Sequence, residues 1–231
     1  MRALLLMGGP EYHDQPDHYA ELAGIFAGEG GVDLRITRDL EVLSAAGLAP
    51  YDAVINWTTF LSPTEEQIAA LLDALHGGVG FFGLHGATAT FWNSAPYLET
   101  LGSRFLKHDP YKDFEVEILD RDHPITRGVD QFVVADELYV LGGDTGAFVE
   151  FADRYRRKVP YEGETAALGD GPLADDISVL ATAEGHPMLY TRQVGAGRLH
   201  YNALGHDKAA LTNPAFRTLA RQGLEWVAGV G

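Results

Sequence analysis

Two kinds of apolar pattern alternate through the first half of the chain. Arg2–Met7 reads as a buried strand, Val32–Thr37 as a second strand, Tyr51–Trp57, rich in β-formers, as a third, and Val79–Leu84 as a fourth. Between them lie segments with apolar residues at helical spacing. Asp17 is placed to cap a helix over His18–Gly28, with Leu22, Ile25 and Phe26 on one face. Ser62-Pro63-Thr64-Glu65 reads as a capping box with proline at the first helical position, and its helix runs to about His76 before Gly77-Gly78. Such alternation predicts a parallel sheet with helices on both faces.

The second half is less regular. Phe114–Leu119 alternates apolar and acidic residues, as a half-exposed strand does. Residues 154–176 are rich in charge, glycine and proline and read as a surface excursion rather than a domain linker. Ile177–Ala183 and Met188–Val194 read as strands around the turn Glu184-Gly185-His186-Pro187, and Gly195-Ala196-Gly197 turns into a strand Arg198–Ala203. Asn213 caps a last helix with Pro214 at its first position, and Phe216, Leu219, Leu224, Trp226 and Val227 supply its apolar cover. The expectation is one α/β domain over residues 1–231, a three-layer sandwich around a mostly parallel central sheet.

Composition narrows the function classes. A hydrophobic content of 46% with 22% charged residues is that of an ordinary soluble globular protein. The net charge of −16 argues against nucleic acid and anionic membranes as partners. No cysteine is present, which removes disulfides, thiolate metal sites and thiol nucleophiles together. Met1–Met7 is followed by Gly8-Gly9-Pro10-Glu11 and reads as a first strand rather than a signal peptide. No run approaches the roughly 20 apolar residues of a membrane helix, and a cytoplasmic location is expected.

The sharpest local feature is Gly80–Ala87, where an apolar run ends in a Gly-Leu-His-Gly turn. This is the pattern of a strand–elbow–helix unit that lifts one side chain above the sheet edge, with small neighbours because the turn is tight. The apex is His85 in place of serine or cysteine. His85 either fills the elbow and donates to a backbone carbonyl, or works as a general acid/base or metal ligand.

Ligands of open parallel sheets bind beyond the carboxyl ends of the strands. Four segments fall there: Glu11-Tyr12-His13-Asp14, Asn56-Trp57-Thr58-Thr59, His85, and Gly205-His206-Asp207. A histidine and a carboxylate after a late strand occupy the place of the general base in triad hydrolases, with Asp207 as the group that orients or charge-stabilises it. His85, His206 and Asp207 are therefore the catalytic candidates. Tyr12, His13, His108 and Glu137 are candidate ligands or substrate contacts. Of Asp136-Glu137 one residue is expected to face the pocket and the other to be solvated or a structural acceptor. Arg104–His108 either closes the pocket or forms a surface turn, and Asp122-His123-Pro124-Ile125 reads as a turn whose histidine holds the backbone.

A zinc site needs about three histidine or carboxylate ligands. No local spacing such as His-Glu-x-x-His exists, so a divalent metal would draw on the scattered candidates His13, His85, His108 and His206. Gly77-Gly78-Val79-Gly80 lacks a following Gly-Lys-Ser/Thr and precedes a strand, so no nucleotide cofactor is expected.

Taken together, these residues resemble the trehalose-utilisation (ThuA-like) family, whose fold is similar to the flavodoxin-like class I glutamine amidotransferases. The resemblance runs along nearly the whole chain. It covers Tyr12-His13-Asp14, Gly80–Ala87, Gly102-Ser103-Arg104-Phe105 with His108, Asp122–Ile125, Asp136–Tyr139, Gly195–Arg198 and Gly205–Asp207, in that order. Against the amidotransferase pattern the elbow cysteine is His85, and the late His-x-Glu pair is His206-Asp207. The resemblance implies carbohydrate metabolism, with cleavage of a 3-keto-glycoside or trehalose-type derivative by histidine acid/base chemistry, with or without a metal. Trp57 and Trp92 would then stack on a sugar face, Trp57 being equally suited to the core. The alternatives are a non-catalytic sugar-binding or sensory domain and a metal-dependent hydrolase of other small molecules. Assembly into a homo-oligomer is left open.

Overall fold

The computed structural model describes residues 1–28, 31–142 and 173–230. The excursion read over residues 154–176 lies outside the described residues up to residue 172. The strands are β1 (Arg2–Gly8), β2 (Asp33–Thr37), β3 (Ala53–Thr58), β4 (Gly80–Leu84), β5 (Arg104–His108), β6 (Lys112–Ile118), β7 (Phe132–Asp136), β8 (Tyr139–Gly142), β9 (Ser178–Ala183), β10 (His186–Val194) and β11 (Gly197–Asn202). The helices are α1 (Pro16–Phe26), α2 (Ala45–Leu48), α3 (Glu65–His76), α4 (Ala95–Leu101), α5 (Lys208–Thr212) and α6 (Pro214–Val227). A 3₁₀ turn over His85–Thr88 follows β4.

Nine strands form one sheet in the order β2-β1-β3-β4-β11-β10-β9-β6-β7. From β2 to β11 every pairing is parallel. From β11 to β7 every pairing is antiparallel, while β5 and β8 pair separately. The parallel strands therefore deliver their carboxyl ends to one edge.

Their side chains alternate between two helical layers. On β4, Phe82 packs beside Phe26 of α1 and stacks on His200 of β11, whose ring lies against Gly223 of α6. Its neighbour Phe81 points the other way, toward Tyr97 of α4 and Leu75 of α3. This double cover is why β1, β3 and β4 read as continuous apolar runs. β6 is covered on one face only, with Phe114, Val116 and Ile118 buried and the acids between them exposed.

Two caps differ from their sequence reading. α1 begins at Pro16, one residue before Asp17, because proline's preset φ and missing N–H suit the first helical position. The cap of α3 is Thr64, not Ser62. Thr64 Oγ1 accepts from Gln67 N and Gln67 Oε1 accepts from Thr64 N, a box that Ser62 cannot close. Asn213 caps α6 as read.

His200 is fully buried, with Nδ1 donating to the Tyr190 carbonyl at 2.9 Å. Burial pulls its pKa down to about 3. The unfolded chain takes up this proton near the ordinary histidine value while the folded protein does not, so stability is lost as pH falls through that window. At about 1.4 kcal/mol per pH unit, His200 accounts for about 2 kcal/mol between pH 6.5 and pH 5. His200→Gln is expected to remove that share of the pH dependence in urea unfolding; an unchanged dependence would refute the assignment.

Candidate active site

The loops after β1, β3, β4 and β11 converge on one cleft at the carboxyl edge. His13 Nδ1 lies 2.7 Å from Thr59 Oγ1, and its Nε2 lies 3.0 Å from His206 Nδ1. His206 Nδ1 is in turn 3.3 Å from His85 Nε2. The convergence expected from strand ends is therefore present, and three of its members touch through ring nitrogens.

The elbow is built as the sequence implies. His85 sits at φ 44°, a left-handed conformation rare for a residue with a Cβ. Its carbonyl accepts from the Tyr201 hydroxyl at 2.9 Å. Just beyond the apex, Tyr97 Oη donates to the Ala87 carbonyl and accepts from Asn56 Nδ2, tying β3, the turn and α4 together. The turn crosses β3 so closely that a Cβ on Gly86 would lie 2.1 Å from Thr59 Oγ1 and 2.7 Å from the Thr58 carbonyl. The His85 ring is fully buried, and its Nδ1 donates to the Ala203 carbonyl at 2.9 Å. Because a carbonyl only accepts, the proton of the neutral ring sits on Nδ1 and Nε2 is bare. Nε2 accepts from Tyr139 Oη at 2.9 Å. The bond to a carbonyl read from sequence thus exists, and it aims the second nitrogen into the cleft.

A carboxylate stands against this cluster. Glu137 Oε2 is 3.2 Å from His206 Nδ1 and 3.7 Å from His85 Nε2, while Oε1 is 3.5 Å from His108 Nε2. Burial opposes protonation of His206, but the hydrogen bond and charge of Glu137 outweigh it and raise the pKa above the ordinary value. Burial, reinforced by the neighbouring histidines, holds His13 and His85 well below theirs. Asp136 turns inward. It is fully buried and accepts from Gly205 N at 2.7 Å, Glu137 N at 2.7 Å and His206 N at 3.3 Å. Burial pushes its pKa up to about 7 against those donors. One residue of the pair faces the cleft and the other is a structural acceptor, as expected.

Three sequence assignments are corrected. Asp207 does not orient His206: its carboxylate caps α5, accepting from Ala209 N and Ala210 N, and also accepts from Tyr111 Oη. The start of a helix claims the acid, so Glu137 and Asp136 hold His206, and Asp207 acts on it only through its charge, which favours the protonated ring. Trp57 and Trp92 are 3% and 2% exposed and present no face to a sugar. Trp57 Nε1 donates to the Gly205 carbonyl and Trp92 Nε1 to the Thr88 carbonyl, so both indoles brace the loops behind the cleft. Tyr12 does stand at the mouth, 45% exposed, and His108 lines a small hollow together with His13, Thr59, Glu137 and Tyr139. Thr59 and Tyr139 fall in segments that the sequence singles out, but the sequence assigns no role to either. Tyr139 follows Glu137 by two positions, the spacing that turns two side chains to one side of an extended chain.

Parallel strands that feed a histidine-tipped elbow define an α/β domain of the flavodoxin-like, glutamine amidotransferase-like class. The sequence profile for trehalose utilisation (ThuA) matches residues 2–227, and the chain belongs to that family. A ThuA-like protein of Parabacteroides merdae is similar in structure, with TM-score 0.75, 18% identity and coverage of 99% of this chain and 90% of that one. A ThuA-like protein of Bacteroides uniformis aligns with TM-score 0.69 at 19% identity over 98% and 91% of the two chains. A cytoplasmic protein of Salmonella typhimurium LT2 aligns with TM-score 0.69 at 14% identity over 98% and 99%. At these identities the likeness is one of fold. No curated protein matches the chain by sequence. Among the described residues no helix is long and apolar enough to cross a membrane.

Gly86→Ala is expected to cost about 3 kcal/mol or more, since backbone and a β-branched side chain must both move. Thermal unfolding checks it; a wild-type midpoint would refute the close approach.

Proposed function

We propose that this protein is a cytoplasmic enzyme of carbohydrate metabolism that cleaves 3-keto-glycosides of the trehalose type. The observation that carries the reading is the pairing of Glu137 with His206 and of Tyr139 with His85 in one cleft. These pairs offer a carboxylate base and a phenolic acid within reach of one sugar ring. A ketone at C3 acidifies the C2–H bond. Glu137 takes that proton, the C1–O bond breaks as a C1–C2 double bond forms, and Tyr139 protonates the departing oxygen. Water then adds at C1, giving a proton back to Tyr139, and Glu137 returns its proton to C2. The sum is hydrolysis. Proton transfer assigned from sequence to His85 and His206 is thereby shared with the groups they touch.

The family supports the substrate class, and the absence of cysteine excludes a thioester route. The lack of any nucleophile at the elbow favours one rival, a sugar-binding domain without turnover. The test is release of glucose from 3-keto-trehalose by the purified protein, as isolated and with added divalent metal. Glu137→Gln and Tyr139→Phe are each expected to lower kcat by about 10²–10⁴-fold. Absence of turnover by the folded wild-type protein would sink the reading, and wild-type rates in both variants would sink the assigned roles.

A further inference from the structure

We propose that His13, His85 and His206 form a tripod for one divalent transition-metal ion, with zinc as the best match. The inference deepens the proposed function, because the ion would sit in the same cleft. Its support is the arrangement of ring nitrogens, which is independent of the substrate.

His13 Nε2, His85 Nε2 and His206 Nδ1 all lie within 4.8 Å of one another, with the two shorter separations at 3.0 and 3.3 Å. Nitrogens bound at about 2.0–2.1 Å to a tetrahedral zinc are about 3.3–3.4 Å apart, so little movement separates this cluster from a ligand set. The geometry is also under-protonated. The Ala203 carbonyl holds the proton of neutral His85 on Nδ1 and leaves Nε2 bare. His13 Nδ1 is engaged by Thr59 Oγ1, which leaves Nε2 as the ring nitrogen turned to the cluster. His206 Nδ1 faces His13 Nε2, His85 Nε2 and Glu137 Oε2 together, and a single ring proton cannot serve all three. A cation at their centre satisfies all of them.

The far nitrogens of His13 and His85 are anchored on a hydroxyl and a carbonyl, the outer bonds that orient ligating imidazoles. An all-imidazole set beside a carboxylate, in a chain without thiols, suits zinc better than softer or harder ions. His108, a fourth candidate from sequence, falls outside the tripod: its Nε2 meets the other oxygen of Glu137. A bound ion would polarise the C3 carbonyl of a keto-sugar, and Glu137 and Tyr139 would keep the proton transfers.

The test uses tag-free protein stripped with chelator and titrated with zinc, followed by calorimetry and elemental analysis. Cobalt(II) serves as a visible-absorption probe of tetrahedral coordination. The wild-type protein is expected to bind one equivalent. His206→Gln, at a partly exposed site, and His85→Asn, which tolerates the left-handed backbone, are each expected to lose about 100-fold or more in affinity. His76→Gln, on exposed α3 surface, is expected to bind as wild type. Sub-stoichiometric zinc, or equal binding by folded His206→Gln, would overturn the site. Stoichiometric zinc without turnover of 3-keto-trehalose would uphold the tripod and sink the sugar reading. Sub-stoichiometric zinc in a protein that turns over 3-keto-trehalose would do the reverse.

Discussion

A single buried carboxylate holds the cleft in shape. Asp136 ends β7 inside the protein and accepts backbone N–H groups from Gly205, His206 and Glu137. Those bonds pin the loop after β11 to the point where the chain leaves the main sheet for the β5–β8 pair. A carboxylate without such donors would cost several kcal/mol to bury. With them it fixes His206 and Glu137 against each other, and the positions of Tyr139 and His108 follow from the β5–β8 register.

The elbow is the second constraint, and it depends on its surroundings. A left-handed backbone at His85 is unfavourable by itself. It persists because Tyr201 holds the apex carbonyl, Tyr97 holds the next turn, and Ala203 fixes the ring. In an amidotransferase-like frame this apparatus would present a thiol. Here it presents a bare imidazole nitrogen to two other histidines and a phenol, which changes the chemistry from covalent capture to proton transfer and ligation.

Much of the frame was legible beforehand. The continuous apolar runs of β1, β3 and β4 have no other stable home than a doubly covered sheet. Gly86 follows from the close crossing over Thr58 and Thr59. The division of labour between Asp136 and Glu137 was legible as a pair but not by member, because which acid faces inward depends on where β7 ends. The strands β5, β7 and β8 lack a strong period and were not read. Asp207 and the indoles of Trp57 and Trp92 misled for a common reason: their chemistry suits a site, yet a helix start and two loop carbonyls claimed them first.

The sequence by itself determined the parallel half of the sheet, the elbow with His85 at its apex and the set of strand ends that could meet. Local pattern encodes these because buried strands, tight turns and caps each demand particular residues within a few positions. Only the tertiary structure decided that His13, His85 and His206 share one point, that Glu137 rather than Asp207 stands against them, and that Tyr139 completes the group. These contacts span up to 193 positions of sequence. They arise from sheet order and from hydrogen bonds across elements, which no local pattern records.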